Sequence, residues 1–110
     1  LKSNQIKAAL LEYQKALKLN PDHIPSYISL GNIQLFHLGR IDQARKTYEV
    51  AILKQPKNAE IHRNLGIIYS QMNKNPEKAI FHFQESIHLA PKQLGVTKIY
   101  STIQALRGQN

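Results

Sequence analysis

Apolar residues between positions 41 and 54 fall at helical spacing. Ile41, Ala44, Tyr48, Ala51 and Ile52 share one face, while Asp42, Arg45, Lys46 and Glu49 occupy the rest. Gln55-Pro56 ends the run, because the residue before a proline is pushed out of the α region. Asn58 offers its side-chain oxygen as an N-cap, and a further helix is predicted over 59–72 with Ile61, Leu65, Ile68 and Tyr69 on its apolar face. Asn73-Lys74-Asn75-Pro76 then reads as a turn in which Asn75 caps and Pro76 suits the first helical position. The helix that follows is predicted over 77–89 and stops before Pro91.

The pattern recurs. Pro21, Pro56 and Pro91 are spaced 35 residues apart, and Ala9, Ala44 and Ala79 keep the same period. So do Tyr13, Tyr48 and Phe83, then Ala16, Ala51 and Ser86, and Leu30-Gly31 returns as Leu65-Gly66. Each unit therefore reads as two helices. Gly31 and Gly66 are expected to let the helices of a pair approach closely, with Ala9, Ala44 and Ala79 as the matching small side. Tyr13, Tyr48 and Phe83 are assigned to the space between adjacent layers. Gly39 is expected to close a helix in the turn between partners.

The set Tyr27, Leu30, Gly31, Gly39, Ala44, Tyr48, Ala51 and Pro56, followed by Leu65, Gly66, Tyr69, Ala79, Phe83 and Pro91, resembles the tetratricopeptide repeat. The resemblance covers essentially the whole chain. It implies an all-α fold of about six helices, a right-handed superhelical solenoid of antiparallel helix pairs. Residues 1–23 would be the C-terminal part of a first repeat, the tail of its first helix and the whole second helix. Residues 24–58 and 59–93 would be a second and a third repeat, and 94–110 the first helix of a fourth repeat or a capping helix, all in one solenoid domain. In that last helix Val96, Ile99, Tyr100, Ile103 and Leu106 give an apolar face, and Ser101 stands where the other units have Gly31 and Gly66. The chain departs from the family pattern in its period, which is one residue long with the extra residue near the turn inside each unit. It also has His62 at a place usual for an aromatic and Ser86 at a place usual for alanine. Both ends cut across a repeat, which leads to the expectation of a longer parent chain or of an end covered by self-association.

Composition narrows the function. The absence of cysteine excludes disulfides and thiolate metal sites, and leaves the compartment open. No apolar run reaches the ~20 residues of a membrane span, and Leu1-Lys2-Ser3-Asn4 does not read as a signal peptide, while the lack of an initial Met is expected of a fragment from which a signal could have been cut. There is no glycine-rich phosphate loop, no Gly-x-Ser-x-Gly and no His-Glu-x-x-His. His23, His37, His62, His82 and His88 give no pair spaced for a metal, and His82 and His88 face different ways on one helix. The few carboxylates are scattered, and Asp42 and Glu77 sit in first helical turns, where the helix dipole favours them. Neither catalysis nor a cofactor is expected.

The resemblance implies that the first helix of each unit lines a concave groove. Ile28, Asn32 and Leu35, with Ser29 and Phe36, would face it in the second repeat. Glu60, Arg63, Asn64, Ile67 and Ser70 would do so in the third, and Lys98, Thr102 and Ala105 in the last helix. Ile28, Leu35 and Ile67 would anchor apolar groups, or else pack against a neighbouring repeat. Asn32 and Asn64 suit the backbone of an extended peptide, and Arg63 and Lys98 would hold a carboxylate. The expected partner is a protein or peptide segment of some acidic character, bound by an interaction scaffold. Some tetratricopeptide proteins clamp the C-terminal carboxylate of heat-shock chaperones with two asparagines and several basic residues. Asn32 and Asn64 fit that pattern, but the basic places hold Ile28, Gly95 and Ile99, so the clamp is broken.

The net charge of +8 raises a second reading, nucleic-acid binding. Lys7, Lys15, Lys18, Arg45, Lys46, Lys54 and Lys78 all fall on second helices, so the charge is spread instead of lining a channel, although Lys7, Lys15 and Lys18 form a local patch. The aligned pairs Ile28/Arg63 and Asn32/Ile67 show no regular base-reading set, which ranks this reading below the first. Self-assembly through open repeat ends is a third reading.

Overall fold

The structure, a computed structural model, describes residues 2–72 and 75–108. The described residues form six helices and no strand: α1 (Ser3–Leu19), α2 (Ile24–Asn32), α3 (Ile41–Lys54), α4 (Ala59–Gln71), α5 (Pro76–Leu89) and α6 (Val96–Arg107). The chain divides into two compact units, residues 1–56 with α1, α2 and α3, and residues 57–110 with α4, α5 and α6.

Helix boundaries follow from local chemistry. Asn58 caps α4, its Oδ1 accepting from the Ile61 N–H at 2.9 Å. Asn75 caps α5 in the same way through the Lys78 N–H at 3.1 Å, with Pro76 at the start of the helix. Replacing Asn58 or Asn75 with alanine leaves one helical donor without its acceptor. Each change is expected to cost about 1 kcal/mol, read as a lower midpoint in urea denaturation. The first two residues of the expected Asn73-Lys74-Asn75-Pro76 turn lie outside the described residues. At the N-terminus, Ser3–Leu19 is one unbroken helix.

Each unit is built on a glycine under an aromatic ring. In the first, Ala44, Tyr48 and Ala51 of α3 are fully buried, and Leu30 and Gly31 of α2 are buried with them. A Cβ on Gly31 would lie 2.5 Å from Tyr48 Cε1, so only glycine lets the two helices come this close. In the second unit a Cβ on Gly66 would lie 2.6 Å from Phe83 Cδ1. The rings thus fill space inside each helix pair, on the glycine, where the sequence pattern had placed them between layers. Ser86, the departure from alanine, is fully buried and satisfied: its Oγ donates to the Ala59 carbonyl at 2.8 Å and accepts from Gln93 Nε2 at 3.0 Å.

The extra residue of the long period has a definite place in the first unit. After Asn32 the helix widens into a single π turn, Ile33–His37, closed by the Leu38 N–H donating to the Ile33 carbonyl at 3.0 Å. Such a turn holds one residue more than an α turn. Gly39 then takes the left-handed conformation, φ 64°, and releases the chain into α3.

Candidate functional site

The residues expected to meet a partner are distributed over both units. In the first, Ile28 and Asn32 lie on α2 and are partly exposed. Asn32 Oδ1 accepts from the Tyr48 hydroxyl at 2.5 Å, so this asparagine is tied to the helix pair. Leu35 lies in the π turn and is buried, with 7% of its surface exposed. A wider turn advances each residue by a smaller angle, which carries Leu35 off the face of Ile28 and Asn32 and onto the packed side. Its neighbour Gln34 is also buried and accepts from the Thr47 hydroxyl at 2.7 Å, while Phe36 is turned outward and 58% exposed. Phe36 and His37 are therefore what the π turn offers to solvent, and Leu35 is not.

In the second unit Arg63 and Ile67 are partly exposed on α4. Arg63 Nη1 donates to Gln93 Oε1 at 3.2 Å, and Gln93 Nε2 in turn donates to the carbonyls of Ser86 and Ala90. The guanidinium is thus positioned by a loop that is itself anchored to α5. Asn64, only 2% exposed, belongs to the packed side of α4. Lys98 lies exposed on α6. The residues that keep accessible surface are then Ile28 and Asn32 in one unit and Arg63, Ile67 and Lys98 in the other.

One constellation was not read from the sequence. His62 Nδ1 on α4 stands 3.0 Å from His82 Nδ1 on α5. Tyr69 stacks on the His82 ring at 5.7 Å, and Phe81 meets both imidazoles edge-on. His62 replaces an aromatic of the repeat and is used as one, in a cluster of rings. Its departure from the pattern was the available signal; its partner is 20 residues away on another helix, and only the rotation of the two helices brings them together. Among the described residues no group of three His, Cys, Asp or Glu is placed to hold a metal ion.

Charge on α3 is internally compensated. Arg45 bridges Asp42 at 2.8 Å and Glu49 at 3.1 Å, and Lys46 reaches Asp42 at 3.5 Å. The hydrogen bond from Arg45 holds the Asp42 carboxyl below its ordinary value of 3.8, so its pairs with Arg45 and Lys46 persist at neutral pH and are lost only as pH falls beneath that value. Lys54 pairs with Asp22 at 2.9 Å, which raises the ammonium pKa. Among the described residues, no helix is long and apolar enough to cross a membrane.

Comparison with known proteins places these features in context. Two family models match, "TPR repeat" over residues 34–73 and "Tetratricopeptide repeat" over residues 12–46. The chain is 33% identical over 105 residues to the anaphase-promoting complex subunit CDC16 of Saccharomyces cerevisiae, covering 89% of this chain and 12% of that protein. It is 30% identical over 97 residues to the human mitochondrial import receptor subunit TOM70, covering 88% of this chain and 16% of that one. It thus spans well under a fifth of the length of either relative. Among solved structures, the Yersinia enterocolitica type III secretion chaperone SycD, in complex with a peptide of the translocator YopD, superposes with a TM-score of 0.84. That match is 15% identical and covers 97% of this chain and 83% of SycD, a likeness of fold.

Proposed function

The chain belongs to the tetratricopeptide-repeat family, and we propose that it is a protein-interaction scaffold that holds a peptide or helix of a partner against the open faces of its first helices. The observation that carries this reading is how those helices divide their surface. Leu30 and Gly31 of α2, and Leu65 and Gly66 of α4, are consumed in packing within each pair, while Ile28, Asn32, Arg63 and Ile67 keep surface outside it. Apolar side chains left accessible beside polar ones are what an interaction surface needs. Arg63, steadied by Gln93, and Lys98 supply positive charge for a carboxylate on the partner. The fold is shared with SycD, which is seen with a bound YopD peptide, and the sequence with an import receptor subunit; both lend weight to a protein partner.

The test is capture of partners from the source organism's lysate, with and without nuclease, by the wild-type chain and by Ile28→Glu/Ile67→Glu. A buried acidic side chain in the contact is expected to weaken binding by about tenfold or more, while circular dichroism shows the helices intact. Partners retained equally by the variant would overturn the assignment of these faces. Binding that survives the variant and disappears with nuclease would place the function in the basic surface instead.

A further inference from the structure

A second surface lies on α1. Leu11, Gln14, Lys15, Leu17 and Lys18 line an open depression of ≈ 500 Å³, and Leu11 at its edge is 60% exposed. Leu11, Gln14, Lys15 and Lys18 are spaced by three and four residues and so form one stripe along the helix, which Lys7 continues by one further turn.

The internal period supports an open stripe. Its equivalents are Lys46, Glu49, Val50 and Leu53 on α3, and Phe81, Gln84, Glu85 and His88 on α5; all keep accessible surface. The face of α1 that matches a packed one is different. Ala9, Tyr13 and Ala16 correspond to Ala44, Tyr48 and Ala51 and to Ala79, Phe83 and Ser86, all of them buried, with Tyr48 on Gly31 of α2 and Phe83 on Gly66 of α4. Whatever covers Ala9, Tyr13 and Ala16 leaves the Leu11–Lys18 stripe free.

Chemistry then separates α1 from the other two stripes. On α3, Lys46 is paired with Asp42 and Glu49 with Arg45. On α5 the stripe holds Glu85 and no lysine. On α1, Lys7, Lys15 and Lys18 have no carboxylate within ion-pair distance among the described residues, and the helix carries one acid, Glu12. Uncompensated ammonium groups around two leucines fit a ligand with carboxylates around an apolar anchor. A second copy of this chain, with its net charge of +8, would be repelled.

We propose that the outer stripe of α1 is a docking surface for an acidic, amphipathic segment of a partner protein, with Leu11 and Leu17 receiving its apolar side chain and Lys15 and Lys18 its carboxylates. This surface is independent of the α2 and α4 faces proposed above. The probe is a fluorescein-labelled peptide with leucine and glutamate in helical alternation, followed by anisotropy, alongside its lysine-for-glutamate counterpart. The expected result is binding of the acidic peptide alone, weakened by about tenfold or more in Lys15→Glu/Lys18→Glu. Leu11→Ala, which keeps every charge, is expected to weaken it as well, and Ile28→Glu/Ile67→Glu to leave it unchanged. No binding of the acidic peptide, or equal binding by Lys15→Glu/Lys18→Glu, overturns the proposal. Loss in the lysine variant with no loss in Leu11→Ala would reduce the surface to unspecific charge and overturn it too. Phosphatidylserine vesicles and a single-stranded oligonucleotide complete the series: if either binds through Lys15 and Lys18 while the peptide does not, the surface serves lipid or nucleic acid and the proposal fails.

Discussion

Replacing Phe83 with alanine is expected to destabilise the second unit by about 3–5 kcal/mol. The ring is 2% exposed and lies directly on Gly66, so truncation removes its buried area and leaves a void against a helix whose closest residue has no side chain to fill it. Tyr48→Ala is expected to have a comparable effect in the first unit, because Tyr48 is fully buried on Gly31 and its hydroxyl also donates to Asn32. Urea denaturation followed by circular dichroism reads both. A loss below about 1 kcal/mol for either would mean that the space on the glycine can collapse, and that the ring is not what sets the distance between the helices.

The reverse change, Gly31→Val, is expected to cost about 2 kcal/mol or more. Intrinsic propensity points the other way, since glycine inside a helix is about 1 kcal/mol worse than alanine. The contact decides the sign. The first added carbon would already stand 2.5 Å from Tyr48 Cε1, and valine adds two methyl groups beyond it. The ring is fully buried and cannot swing away, so the helices must part. Gly31→Val/Tyr48→Leu, which shrinks the opposing side chain, is expected to recover part of the loss. A double variant that is worse than the sum of its singles would contradict the account.

The helix pairs were legible because packing writes a strict period into the chain. Leu30-Gly31 and Leu65-Gly66, set against Tyr48 and Phe83, are positions where one contact dictates both partners, and the repeats display it twice. The caps at Asn58 and Asn75 were legible for a local reason: a side-chain oxygen three residues ahead of an unmet N–H needs no tertiary information. The partner-facing residues were harder. Leu35 and Asn64 were placed on the open face by the family resemblance, and both are buried. For Leu35 the π turn at Ile33–His37 shifts the register of the helix away from that face. The extra residue in the period announced an insertion, but the period does not say whether a helix or its turn absorbs it. The His62–His82 contact was illegible for another reason. His62 was marked by its departure from the pattern, but nothing marked His82, and the contact exists only through the packing of α4 against α5.

Hydrogen–deuterium exchange of the chain with and without its captured partner reads the proposed contacts on the open face of α2 in one unit and of α4 in the other. Backbone amides around Ile28 and Asn32, and around Arg63 and Ile67, are expected to exchange more slowly in the complex, while those along the outer faces of α3 and α5 keep their rates. Slowing confined to α3 and α5, with none on α2 and α4, would overturn the assignment of these faces.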